Sequence, residues 1–112
     1  MPDARRWAAA VLSVWGIADT DDLEVIVSEL MTNAVEASAP DWTITLRLLA
    51  DDELVMVVVV DENEDLPMPL SPDDESLSGR GLFIVGALSR DCGYVLGRFG
   101  GKSIWATVPR TA

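Results

Sequence analysis

Apolar residues recur at three- and four-residue spacing at the start of the chain. Trp7, Ala8, Val11, Leu12 and Trp15 line one side of a predicted helix over Asp3–Trp15. Gly16 ends it. A second predicted helix starts at Asp21, with Glu24 three residues on as its capping-box partner, and its buried stripe is Leu23, Ile26, Val27, Leu30, Met31 and Ala34. Pro40 stops that helix, and the period then falls to two. Trp42–Leu49 alternates and is rich in β-branched residues, which predicts a half-buried strand. Ala50–Glu53 is a polar turn. Leu54–Val60 is apolar throughout, as a central strand is, and completes a hairpin.

Asp61–Ser78 breaks both periods, with three prolines and seven acidic residues. So long a segment without a period, inside a small domain, points to a functional or mobile loop. Gly79-Arg80-Gly81 then opens a third predicted helix, Leu82–Ser89. The chain closes with a second hairpin, Tyr94–Phe99 and Ser103–Val108, joined by Gly100-Gly101-Lys102. The order helix, helix, strand, strand, loop, helix, strand, strand predicts an α+β two-layer sandwich: a mainly antiparallel sheet of at least four strands, with three helices on one face. Its 112 residues suit a single domain, 1–112. Trp7, Trp15, Trp42 and Trp105 are expected to pack in the core or on the sheet.

Composition narrows the chemistry. The net charge is -11, so a phosphate-backbone partner, which needs Lys/Arg surfaces, is not expected. The absence of histidine excludes a Ser-His-Asp triad, a self-phosphorylating histidine and histidine zinc sites. The single Cys92 makes no internal disulfide, which suits a reducing cytoplasm. No apolar run is long enough to span a bilayer, and Met1–Arg6 does not begin a signal peptide, so no membrane association is expected.

Two glycine-rich stretches resemble nucleotide loops and fail on spacing. In Gly97–Ser103 the first glycine of a GxxxxGK[ST] loop falls on Leu96, and Ser103–Val108 alternates like a strand rather than opening a helix. Gly79, Gly81 and Gly86 miss the dinucleotide GxGxxG spacing and come after a loop instead of a strand. Three other features have site character. Glu29 and Asn33, four apart on the second helix, project side by side; a solvated helix face is the plain alternative. Asp61 ends the most apolar strand, where an acid can accept from a ligand amino group or simply terminate the strand. Gly79–Gly81 offers backbone N–H groups at a helix start, which suit an anion and equally suit an ordinary turn.

Their order is more specific than any one of them. Ser28-Glu29-Leu30-Met31-Thr32-Asn33-Ala34-Val35 resembles the asparagine box of the GHKL (histidine kinase-like) ATPase superfamily. Val60-Asp61 with Leu66-Pro67 resembles its first glycine box, Gly79–Val85 its second, and Gly101–Ala106 its last strand. The resemblance is nearest to the anti-sigma-factor serine/threonine kinases. It implies the histidine-kinase-like (Bergerat) ATPase fold and the cofactors ATP and Mg²⁺. Asn33 would hold the metal, and Glu29 would be the catalytic base for the attacking hydroxyl. Asp61 would read the adenine amino group. The Gly79, Arg80, Gly81 and Leu82 backbone would cradle phosphates under a lid at 63–78, and Lys102 and Ser103 would face the nucleotide. The implied partners are ATP or ADP and a protein regulator, either a sigma factor or an anti-anti-sigma factor. Where relatives carry glycines after the aspartate, this chain has Asp61-Glu62-Asn63-Glu64-Asp65, so weak ATP binding is expected. A non-catalytic module that sequesters a regulator is the alternative, and a detached sensor-kinase domain a third. Relatives often carry an extra leading strand; without it the sheet has an uncovered edge that could pair with a second copy, giving a homodimer.

Overall fold

In the computed structural model the described residues are 2–63, 77–98 and 100–110. Two hairpins merge into one sheet. Helices α1 (Pro2–Val14) and α2 (Asp21–Ala37) precede strands β1 (Thr45–Ala50) and β2 (Leu54–Asp61); helix α3 (Leu77–Leu88) precedes β3 (Asp91–Leu96) and β4 (Lys102–Pro109). The strand order is β1-β2-β4-β3, antiparallel at every step, so the two hairpins join through their second strands.

Burial follows from strand alternation. On β2 every second residue, Val55, Val57, Val59 and Asp61, is buried beneath the helices. Ala106 of β4 joins that face, and Leu23, Ile26, Val27, Leu30 and Ala34 of α2 close over it. Each of the buried Val, Leu and Ile side chains contributes about 1.5–3 kcal/mol on burial. Val85 enters from α3, and Ala8 and Leu12 bring α1 into the same core by packing against α2. The other face of the sheet is more open. It carries Met56, Val58 and Trp105 half-buried, with Leu49 and Val95 exposed.

Several boundaries differ from the sequence expectation. α3 begins at Leu77, so Gly79-Arg80-Gly81 lies inside the helix instead of in front of Leu82. Glycine disfavours a helix by about 1 kcal/mol per residue, and packing of α3 against α2 outweighs that here. β1 starts at Thr45, because Trp42 N–H bonds Ala39 O in a turn and Thr43 N–H bonds the Glu62 carboxylate. β3 runs Asp91–Leu96, three residues earlier than expected, since Gly93 lies under the Trp105 ring as part of the strand. A Cβ on Gly93 would lie 3.0 Å from Trp105 Cζ2, so its glycine marks a close approach and not a turn. Phe99 and most of the expected lid, 64–76, fall outside the described residues. Trp7 and Trp42, expected to be packed, are 47% and 38% exposed. The capping box also differs: Glu24 accepts a bond from the Thr20 hydroxyl (2.6 Å) rather than pairing with Asp21.

Candidate functional site

The antiparallel pairing of β2 with β4 places the last residue of one directly opposite the first residue of the other. Asp61 and Lys102 are cross-strand partners and point to the helix side. Lys102 Nζ donates to Asp61 Oδ1 at 3.1 Å and to the Asn63 carbonyl oxygen at 3.1 Å. Asn63 N–H donates to the same Asp61 oxygen at 2.9 Å. Asp61 is 3% exposed and Lys102 5%, and they are the buried charged side chains among the described residues. A buried ion pair stabilises a fold little compared with apolar side chains of similar volume. Its presence at one end of a valine-rich sheet therefore points to a site.

Gly101 makes this junction sterically feasible. Its φ is +74°, and a Cβ there would lie 2.4 Å from Asp61 O. Only a residue without a side chain fits where β4 begins beside the end of β2. Ser103, one residue further on, pairs with Val60 on the opposite face of the sheet. Alternation thus separates the two β4 candidates, and only Lys102 reaches the Asp61 side.

Asn63 ties this junction to α2. Its side-chain N–H donates to Ala37 O at 2.9 Å, so the exit of β2 docks on the last turn of the helix. Asn33 is one turn back from Ala37, and Glu29 one turn further, at spacing that puts them on one side of α2. Both are half-buried. The Asn33 amide nitrogen is buried without a hydrogen-bond partner among the described residues, a cost of about 1–3 kcal/mol that a ligand acceptor would offset. A further set of donors comes from α3. That helix leaves the far end of the sheet, where Arg90 N–H bonds Thr107 O at 2.7 Å. Its first turns, with the backbone of Gly79, Arg80, Gly81 and Leu82, form the opposite end, and α3 lies against α2. Unpaired N–H groups of a first helical turn suit an anion. Because α3 starts at Leu77, however, the Gly81 and Leu82 N–H groups fall past that turn, on helical hydrogen bonds, and are not the free phosphate donors that the sequence resemblance implies.

The structure thus brings Asp61 and Lys102 into contact, sets Glu29 and Asn33 along the helix docked beside them, and puts Ser103 elsewhere. Sequence reasoning treated Asn63 as the first residue of a lid. It is instead a junction residue, with its N–H, carbonyl and amide each bonded. The available signal was an asparagine two residues past an aspartate at a strand end, where Asx-type bonding to nearby backbone is common. No group of three or more acidic, cysteine or histidine side chains that could hold a metal occurs among the described residues. The Asn33 side chain carries a neutral oxygen of the type a hard cation accepts.

A family model described as a histidine kinase-like ATPase domain matches residues 1–108. The chain belongs to the histidine kinase-like ATPase family. That places it among the GHKL ATP-binding, kinase-like domains. Solved structures of similar fold include a mycobacterial sensor histidine kinase, MprB, with TM-score 0.61 and 22% identity over 84% of this chain and 76% of that one. The catalytic domain of histidine kinase ThkA gives TM-score 0.63 and 20% identity, covering 83% of this chain and 69% of that one. The blue-light-activated histidine kinase domain from Erythrobacter litoralis EL346 gives 0.58 and 23% identity; the match covers 80% of this chain but only 43% of that domain. No curated protein matches the chain by sequence. No helix among the described residues is long and apolar enough to cross a membrane.

Proposed function

We propose that this chain binds Mg²⁺-ATP at the junction of β2, α2 and α3 and transfers the γ-phosphoryl group to a serine or threonine of a regulator protein, as an anti-sigma-factor-like kinase acting on an anti-anti-sigma partner. The observation that carries the reading is the buried Asp61 carboxylate at the sheet end, tied through Asn63 to the helix that bears Glu29 and Asn33. Asp61 accepts from the adenine amino group. The amide of Asn33 can turn its oxygen to a cation and its nitrogen to a phosphate oxygen. Mg²⁺, when bound, neutralises phosphate charge. Glu29 accepts the proton of the attacking hydroxyl while the new oxygen–phosphorus bond forms and the bond to the departing ADP breaks. The exposed free thiol of Cys92 suits a reducing cytoplasm.

A second reading, sequestration of a regulator without phosphotransfer, is favoured by the acids just after Asp61. Labelled-phosphate transfer to candidate anti-anti-sigma proteins, run beside ATP calorimetry, separates the two. Glu29→Ala should retain ATP binding while transfer falls by about 10²–10⁴-fold. Asn33→Ala should weaken Mg²⁺-ATP binding itself. ATP binding by wild type with no transfer to any partner would favour sequestration, and no heat or thermal shift at millimolar Mg²⁺-ATP would overturn the nucleotide reading.

A further inference from the structure

The chain has eight basic residues, of which Lys102 is the only lysine. An ammonium is strongly hydrated and on most surfaces remains in water. Here it is buried, and the direct β2–β4 pairing sets it against Asp61. Two of its three N–H groups are used, one on Asp61 Oδ1 and one on the Asn63 carbonyl. The Asn63 N–H adds a second donor to that same Oδ1. Among the described residues both bonds to the carboxylate therefore fall on Oδ1, which restricts the rotation of the group, and none falls on Oδ2. An ion-paired carboxylate presents acceptors only. Such a group favours a base edge with an amino donor and disfavours one with a carbonyl oxygen at the same position.

We propose that Lys102 is a positioning residue for base recognition: it holds Asp61 as an oriented, acceptor-only group, so that the site takes 6-amino purine nucleotides in preference to 6-oxo ones. It is not the cation of the phosphate end. This rests on the reading of Asp61 as the base-recognition group. It changes the expected role of Lys102 from contacting nucleotide to shaping the residue that does. Asn63 completes the device by holding both members.

Because the chain has a single lysine, lysine-labelled protein gives one side-chain ¹⁵Nζ resonance and needs no assignment. Titration of the full chain with adenosine should shift that resonance, whereas inorganic tripolyphosphate with Mg²⁺ should leave it in place. In parallel, calorimetry with ATP and with inosine triphosphate, which carries a 6-oxo group, gives the base preference. Wild type should prefer ATP. Lys102→Met should reduce the preference about tenfold or more, and Lys102→Arg, which restores a cationic donor, should recover most of it. Far-UV circular dichroism checks that each variant is folded; if Lys102→Met is not, the resonance titration and the arginine variant decide. A resonance that responds to tripolyphosphate and not to adenosine overturns the proposal, as does an unchanged preference in folded Lys102→Met. Wild type that binds neither adenosine nor ATP would overturn the nucleotide reading, and this inference with it.

Discussion

Removing one member of the Asp61–Lys102 pair should cost far more than removing both. In Asp61→Leu the Lys102 ammonium stays buried with only the Asn63 carbonyl as partner. Stranding a buried charge in this way costs about 3–5 kcal/mol, a large share of the roughly 5–15 kcal/mol that holds a domain together. For 112 residues, about 2.1 cal/mol/K of unfolding entropy per residue sums to roughly 0.24 kcal/mol/K, so Tm should fall by about 13–21 °C. Lys102→Met should cost less, because Asp61 keeps the bond from Asn63 N–H. The double variant puts two apolar side chains of similar length where the ions were. It strands no charge, and the freed Asn63 backbone groups can reach water because that residue is only half-buried. It should therefore be more stable than Asp61→Leu alone, with a coupling above about 2 kcal/mol. Thermal and urea unfolding of the four proteins give the cycle, with equal urea m-values as the check that a shift in midpoint reports stability. Additivity within about 0.5 kcal/mol, the behaviour of independent sites, would refute the pair.

Two further outcomes are expected. Gly101→Ala should destabilise by more than about 2 kcal/mol in urea unfolding, since a left-handed backbone costs a substituted residue about 1–2 kcal/mol and the new Cβ would meet Asp61 O at 2.4 Å; Gly86→Ala, which meets nothing within 4 Å, is the control. The Asp51 carboxyl, lowered from its usual 3.8 by N–H bonds from Leu54 and then Glu53, contributes stability that is present above that value and lost as pH falls through its lowered one. Asp51→Asn should therefore flatten the loss of stability measured by thermal unfolding below about pH 4.

Much of the candidate site was legible because its parts are local. Glu29 and Asn33 are four apart on an uninterrupted amphipathic helix, so their adjacency needs only helical geometry. Asp61 ends an apolar run, and that alone puts it at a strand terminus. The start of α3 was misread because the local signal and the outcome conflict. Two glycines spaced by Arg80 read as a loop on propensity, and contact with α2 carries the helix through them. β3, expected to begin at Tyr94, starts three residues earlier, with Gly93 inside the strand against the Trp105 ring.

The sequence by itself determined the set and order of elements and the buried stripe of α2. Period 3.6 fixed that stripe, and period two fixed Val55, Val57 and Val59 as one row. Both hairpins arise from short polar or glycine turns between such runs. The pairing of β2 with β4, from Asp61↔Lys102 to Leu54↔Pro109, joins residues more than forty positions apart in the chain, and no local rule sets its register. The tertiary structure sets it by packing Val55, Val57 and Val59 of β2 and Ala106 of β4 under α2 together. Side chains alternate across a sheet, so a slip of one residue would turn that row toward solvent and bring Ser103 beside Asp61 in place of Lys102. The core thus narrowed which residue meets the carboxylate, because burying those valines together with Ala106 excludes every odd-numbered slip, Ser103 opposite Asp61 among them.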